Sequence, residues 1–158
     1  MTEDARFSDG VEQPLRLKAM DEGDLKVVSA LVQDAVFPAS EMQFDRKKRR
    51  FAVLLNRFRW EDRVGAERRG EFERVQTVMT IGDVLNVSSQ GVVRGDADTI
   101  MSVLSMEFEA GEDGAGDLTI LLAGDGGIRL SVEALDVTLH DATRPYVAPS
   151  GKVPDHPE

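Results

Sequence analysis

The chain has 158 residues, 41 % of them hydrophobic, with 19 Lys and Arg against 29 Asp and Glu for a formal net charge of −10, and no cysteine. This length suits one domain whose core is large enough to hold the fold unaided. The missing thiols exclude disulfides, thiolate metal sites and thiol nucleophiles, and they agree with a reducing, cytoplasmic setting. Residues 1–30 show no basic start followed by an apolar run, and stretches such as Phe51 to Leu55 fall far short of the about 20 residues a spanning helix needs, so neither a secretory leader nor membrane insertion is expected.

Residues 1–14 are acidic and turn-rich, and the sequence predicts a disordered tail there. Leu15, Leu17 and Ala19 alternate with Arg16 and Lys18, the period of a half-buried strand. Asp21 or Asp24 can cap a short helix bearing Leu25, Val28, Leu31 and Val32 at helical spacing. The β-branched residues of Val27 to Phe37 leave strand as the alternative for that segment. Met42 to Asp45 reads as a strand, Arg46 to Arg49 as a charged turn, and Arg50 to Trp60 as a long strand. On that strand Phe51, Val53 and Leu55 share one face, and Ala52, Leu54, Phe58 and Trp60 the other, as for a central strand. Glu61 to Gly70 reads as a mobile polar connection.

Two strands follow, Phe72 to Ile81 and Val84 to Ser88, broken at Gly82-Asp83. Asp96 or Asp98 can cap a helical turn through Ile100, Met101 and Leu104, ahead of a strand from Ser105 to Ala110. Leu118 to Ala123 and Ile128 to Val132 flank Gly124-Asp125-Gly126-Gly127 as a hairpin. A bulge at Ala134-Leu135 precedes a last strand carrying Val137 and Leu139. From Arg144 onward four of the six prolines fall in a segment without periodicity, read as a second flexible tail at 144–158. Val27 to Phe37 also resembles Ile100 to Ala110 in apolar placement, which raises the possibility of two diverged β-rich repeats.

Charge is distributed unevenly. Residues 1–45 hold 4 basic and 10 acidic side chains, residues 46–74 hold 11 and 5, and residues 75–158 hold 4 and 14. The middle strip comprises Arg46, Lys47, Lys48, Arg49 and Arg50, then Asn56-Arg57-Phe58-Arg59-Trp60, then Arg63, Arg68 and Arg69. Basic residues interleaved with aromatics can contact phosphates and stack on bases, or meet an acidic protein surface. They can equally form a solvated turn and pair with the domain's own carboxylates. The net negative charge argues against nucleic acid, because long-range repulsion opposes encounter.

No catalytic pattern passes a spacing test. The histidines are His140, at a strand end, and His156, in the expected tail, and no Gly-x-Ser-x-Gly elbow is present. Ser88-Ser89 has no basic partner nearby in sequence. The acidic loop Glu112, Asp113, Asp117 fails as a calcium hand, since the twelfth position from Asp113 is Gly124. The glycines around Gly124 lie between strands, whereas a phosphate loop requires a helix N-terminus. No metal, cofactor or catalytic residue is therefore assigned.

Several stretches together resemble the uncharacterised bacterial family DUF2948, a domain of unknown function. They are Leu15-Arg16-Leu17-Lys18-Ala19 with Asp21 and Asp24-Leu25; Ser29-Ala30 with Gln33-Asp34-Ala35-Val36; Arg49 to Ala52 and Leu55-Asn56-Arg57-Phe58-Arg59-Trp60-Glu61; and Val84-Leu85 with Ser89 and Gly91. The resemblance covers residues 14 to 140 and implies a single domain in a bacterial cytoplasm; it brings no activity or site residue.

The expected architecture is one α+β domain over 15–143, a mostly antiparallel sheet or partly closed barrel with one or two short helices; an all-β barrel is the alternative. The preferred function is a non-enzymatic accessory or protein-interaction module. Its candidate contact residues are Arg57, Arg59, Trp60, Arg46, Lys47 and Lys48, facing a partner with an acidic surface. The alternatives are an enzyme with a carboxylate-based site and a weak nucleic-acid or anion binder. The oligomeric state is left open.

Overall fold

A computed structural model describes residues 14–93 and 96–147. Residues 1–13 and 148–158, which make up most of both expected tails, lie outside it; the flexible tail expected from residue 144 is corrected at Tyr146–Val147, which pair with Arg74 and Glu73. Its strands are β1 (Arg16–Ala19), β2 (Val36–Pro38), β3 (Met42–Asp45), β4 (Arg50–Phe58), β5 (Glu73–Ile81), β6 (Val84–Gln90), β7 (Ile100–Ala110), β8 (Gly116–Leu122), β9 (Gly126–Val132), β10 (Val137–Asp141) and β11 (Tyr146–Val147). The α-helices are α1 (Glu22–Leu31) and α2 (Arg63–Arg69).

The sheet is open and antiparallel throughout, in the order β1-β10-β5-β4-β2-β7-β8-β9-β6, with β3 added to β4 and β11 to β5. It has two leaves. One comprises β1, β10, β5 and β4; the other comprises β7, β8, β9 and β6; the three residues of β2 join them. Inward residues of both leaves, including Leu55, Met79, Leu139, Ile120 and Leu130, belong to one buried cluster. The leaves therefore fold toward each other over a shared core. Opposite β2, the chain passes between leaves twice at one corner, where Gly82 N–H donates to Asp136 O and Glu133 N–H donates to Asp83 O.

Helix α1 begins as expected, with the Asp21 carboxylate accepting from Asp24 N–H and Leu25 and Val28 buried. Because Val27–Leu31 are helical and Val36–Pro38 extended, Val27 to Phe37 and Ile100 to Ala110 adopt different structures despite their sequence likeness. Helix α1 also covers an edge. Beyond its pairing with β2, β7 offers an unpaired Met106 N–H, and Ser29 Oγ accepts it at 2.9 Å.

Three local expectations are corrected. Glu61 to Gly70 is no mobile connection but a 3₁₀ turn at Trp60–Asp62 followed by α2. Its only buried residue is Ala66, so no apolar stripe reveals it. An Arg63–Glu67 pair at 3.3 Å one turn apart supports it, and Gly70, at φ 77°, ends it by donating to Ala66 O. The helical turn expected after Asp96 is strand, because β2 pairs with Ile100 to Ser102. The Asp96 carboxylate still accepts from Asp98 N–H and Thr99 Oγ, but in a turn that leads into β7. The break at Ala134-Leu135 is the corner between leaves rather than a bulge; register shifts occur instead within β6 and β7.

Replacing Ser29 by Ala should cost about 1–3 kcal/mol, the range for stranding a partly buried donor. Urea unfolding together with amide exchange reads this. Met106 N–H should lose protection more than its neighbours on β7, and unchanged protection there would refute the edge-covering role.

Candidate functional site

The inward positions of β4 run Phe51, Val53, Leu55 and then Arg57, so the two-residue period carries a guanidinium into the core. Arg57 has no solvent exposure. All five of its N–H groups are used. Nε donates to Thr77 Oγ at 2.8 Å, Nη1 to Phe58 O at 3.1 Å and Glu61 Oε1 at 2.9 Å, and Nη2 to Glu61 Oε2 at 2.9 Å and Asp141 Oδ1 at 3.0 Å. Asp141 also accepts from Thr77 Oγ and from Leu15 N–H, each at 2.7 Å. This one cluster therefore ties β4, β5, β10 and the approach to β1.

Burial pulls the Arg57 pKa down, but the hydrogen bonds and charges of Glu61 and Asp141 outweigh it and hold the group above its ordinary value. A base whose folded pKa is raised contributes stability that is fully present below its unfolded pKa and lost only as pH rises through the folded one. For a guanidinium that window lies far above neutrality.

Arg59 is also inside, at 3 % exposure. It pairs with Glu73 and, at 3.4 Å, with Asp62, which takes a second hydrogen bond from Arg69 at 3.0 Å. Trp60 is half-buried: its indole N–H donates to Gln33 O at 2.9 Å, and its ring centroid lies 5.3 Å from that of Phe58 and 5.2 Å from that of Phe72. The Arg74 guanidinium lies over the Phe58 ring, 4.2 Å from its centroid. Arg57, Arg59 and Trp60 thus brace the junction of β4, α2 and β5 rather than line a surface.

Arg46, Lys47 and Lys48 are placed differently. With Arg49 and Arg50 they form five consecutive exposed residues on and beside the β3–β4 turn. Lys48 N–H donates to Asp45 Oδ1 at 3.1 Å, and the Arg46 guanidinium lies 5.4 Å from the Phe44 ring centroid. Arg49 is ion-paired with Glu133; among the described residues the other four have no carboxylate partner. The basic strip thus divides into an internal half, matched by carboxylates, and a solvent-facing half.

A family model described as "Protein of unknown function (DUF2948)" matches residues 15–156. The chain belongs to the DUF2948 family. No curated protein and no solved structure matches it.

In this DUF2948 chain the carboxylates of Glu61, Asp62, Glu73 and Asp141 each accept from arginine. A cavity of about 610 Å³ opens beside Arg69, Glu73, Asp141 and Arg144, over the outer end of this cluster. No group of three or more His, Asp or Glu side chains that could hold a metal ion occurs among the described residues. No described helix is long and apolar enough to cross a membrane. Sequence reasoning did not find the partners Thr77, Glu61 and Asp141. A signal for Arg57 itself was available, since it continues the alternation of Phe51, Val53 and Leu55.

Replacing Arg57 by Ala should destabilise the domain by about 3–5 kcal/mol, because Asp141 is left buried and uncompensated. Arg57→Lys should recover little, as an ammonium cannot reproduce the planar fork. Trp60 is the sole tryptophan, so its fluorescence during urea unfolding gives the readout. A loss under about 1 kcal/mol, the ordinary size for a surface change, would contradict the assignment.

Proposed function

We propose that this protein is a non-enzymatic accessory module of a bacterial cytoplasm that binds a protein partner through the β3–β4 turn, with Arg46, Lys47 and Lys48 facing an acidic surface. One observation carries the reading: five adjacent basic side chains are exposed on a chain of net charge −10, and only Arg49 has a described carboxylate partner. Mutual repulsion among them makes the free turn electrostatically costly, and an oppositely charged surface relieves that cost. The acidic remainder of the chain disfavours nucleic acid as the partner, because phosphate backbones are repelled at long range. A carboxylate-based catalytic site has less support: Glu61, Asp62, Glu73 and Asp141 are held by arginines, and the cavity lined by Glu22, Glu107, Glu109 and Asp117 also carries the cations Lys26 and Arg129.

The expected contact set is accordingly narrower than the full basic strip. Arg57 and Arg59 support the surface indirectly by fixing β4, the strand that follows the turn.

Capture from native lysate tests this, comparing wild type with Lys47→Glu/Lys48→Glu and with a charge-matched control, Lys26→Glu/Arg68→Glu. The turn variant should lose partners that the control retains, and raised salt should weaken wild-type capture through screening. Equal recovery by both variants would defeat the reading.

A further inference from the structure

Beside the basic turn lies a groove of about 240 Å³. Buried Phe51 and Ile128 form its floor, Met42 and Phe44 of β3 one wall, and Val87 of β6 the other, with Arg46 and Ser89 at the rim. The volume is below the roughly 300–1,000 Å³ of small-molecule sites. It suits a side chain or two delivered from a backbone better than a whole ligand.

The groove separates two strands that are not paired to each other. Among the described residues the strand partner of β3 is β4 and that of β6 is β9, and Val84 N–H at the start of β6 also donates to Arg49 O at 2.8 Å. In an antiparallel pair every second residue turns its N–H and C=O away from the partner, so β3 presents backbone groups toward the groove. An extended peptide can take such an edge as an added strand and send alternate side chains into the pocket below. The charges select among occupants. Arg46 borders the groove, and Lys47, Lys48 and Arg50 continue from it along the turn. A second copy of this chain would bring another net charge of −10 against the first, which opposes self-pairing.

We infer that the groove between β3 and β6 receives an extended, acidic segment of the partner protein, which adds to the free edge of β3 and seats an apolar side chain between Phe44 and Val87. This rests on the binding reading proposed above and specifies its geometry.

A short fluorescein-labelled peptide of alternating glutamate and valine serves as probe, followed by anisotropy and by backbone amide shifts of the full chain. Wild type should bind it, and the matched lysine–valine peptide should not compete. Lys47→Glu/Lys48→Glu should weaken binding about tenfold or more, and so should Ser89→Tyr, which fills the groove without changing charge. The largest amide shifts should fall on Met42–Asp45 and around Ser89. Normal binding by a folded Ser89→Tyr, or shifts confined to residues 46–50, would overturn the groove while leaving the basic-turn reading intact. Failure of wild type to bind the peptide at low salt would also overturn it, whereas the lysate comparison judges the broader reading independently. Circular dichroism checks the variant's fold, and if it does not fold the wild-type amide map decides.

Discussion

The architecture depends on a positive charge held in the middle of a sheet. Arg57 occupies a position where alternation calls for an apolar side chain, and desolvating a guanidinium costs several kcal/mol unless geometry and partners compensate. Compensation is complete here: two carboxylates, a hydroxyl and a carbonyl accept from all five donors. Such a cluster need not add much net stability over an apolar replacement. Its effect is on register. A one-residue slip of β4 against β5 would turn Arg57 outward and leave Asp141 buried without a counter-ion.

The same requirement accounts for the division of the basic strip. A cation can enter the core only where a carboxylate accompanies it, and Glu61, Asp62 and Glu73 lie close enough in sequence to serve Arg57 and Arg59. Beside residues 46–50 stands Asp45, whose carboxylate accepts from Lys48 N–H at 3.1 Å, and all five basic residues stay exposed.

Much of the fold was legible because period-two alternation is unambiguous in β1, β4 and the β8–β9 hairpin, and because Asp21 is a clear helix cap. What escaped had physical reasons. Helix α2 buries one alanine and is otherwise charged, so its pattern matches that of a loop. Asp96 or Asp98 followed by Ile100, Met101 and Leu104 carries a helix-start signal whose outcome was decided by pairing with β2, a tertiary contact. At the candidate site, the basic and aromatic residue types around Arg57 and Trp60 were visible, but their direction was not, since the partner carboxylate Asp141 lies 84 positions away. The groove wall at Val87 was equally hidden, because Met42 and Phe44 come to line the same groove only once the two leaves fold together.

That long separation bears on how the chain is made. β1 can pair with β10 only after more than a hundred intervening residues have been made, with Arg16 opposite His140, 124 positions away, and Asp141 arrives after β4 and β5 have already emerged. During that interval Glu61, four residues from Arg57, is the one neutralising carboxylate of the pair within local reach. The β4–β5 hairpin can therefore form early with its arginine half-satisfied, while its second carboxylate waits for β10. A nascent or truncated chain ending before Asp141 would expose the edge of β5 and an incompletely paired guanidinium, the kind of unfinished edge that draws chaperones or wrong strands.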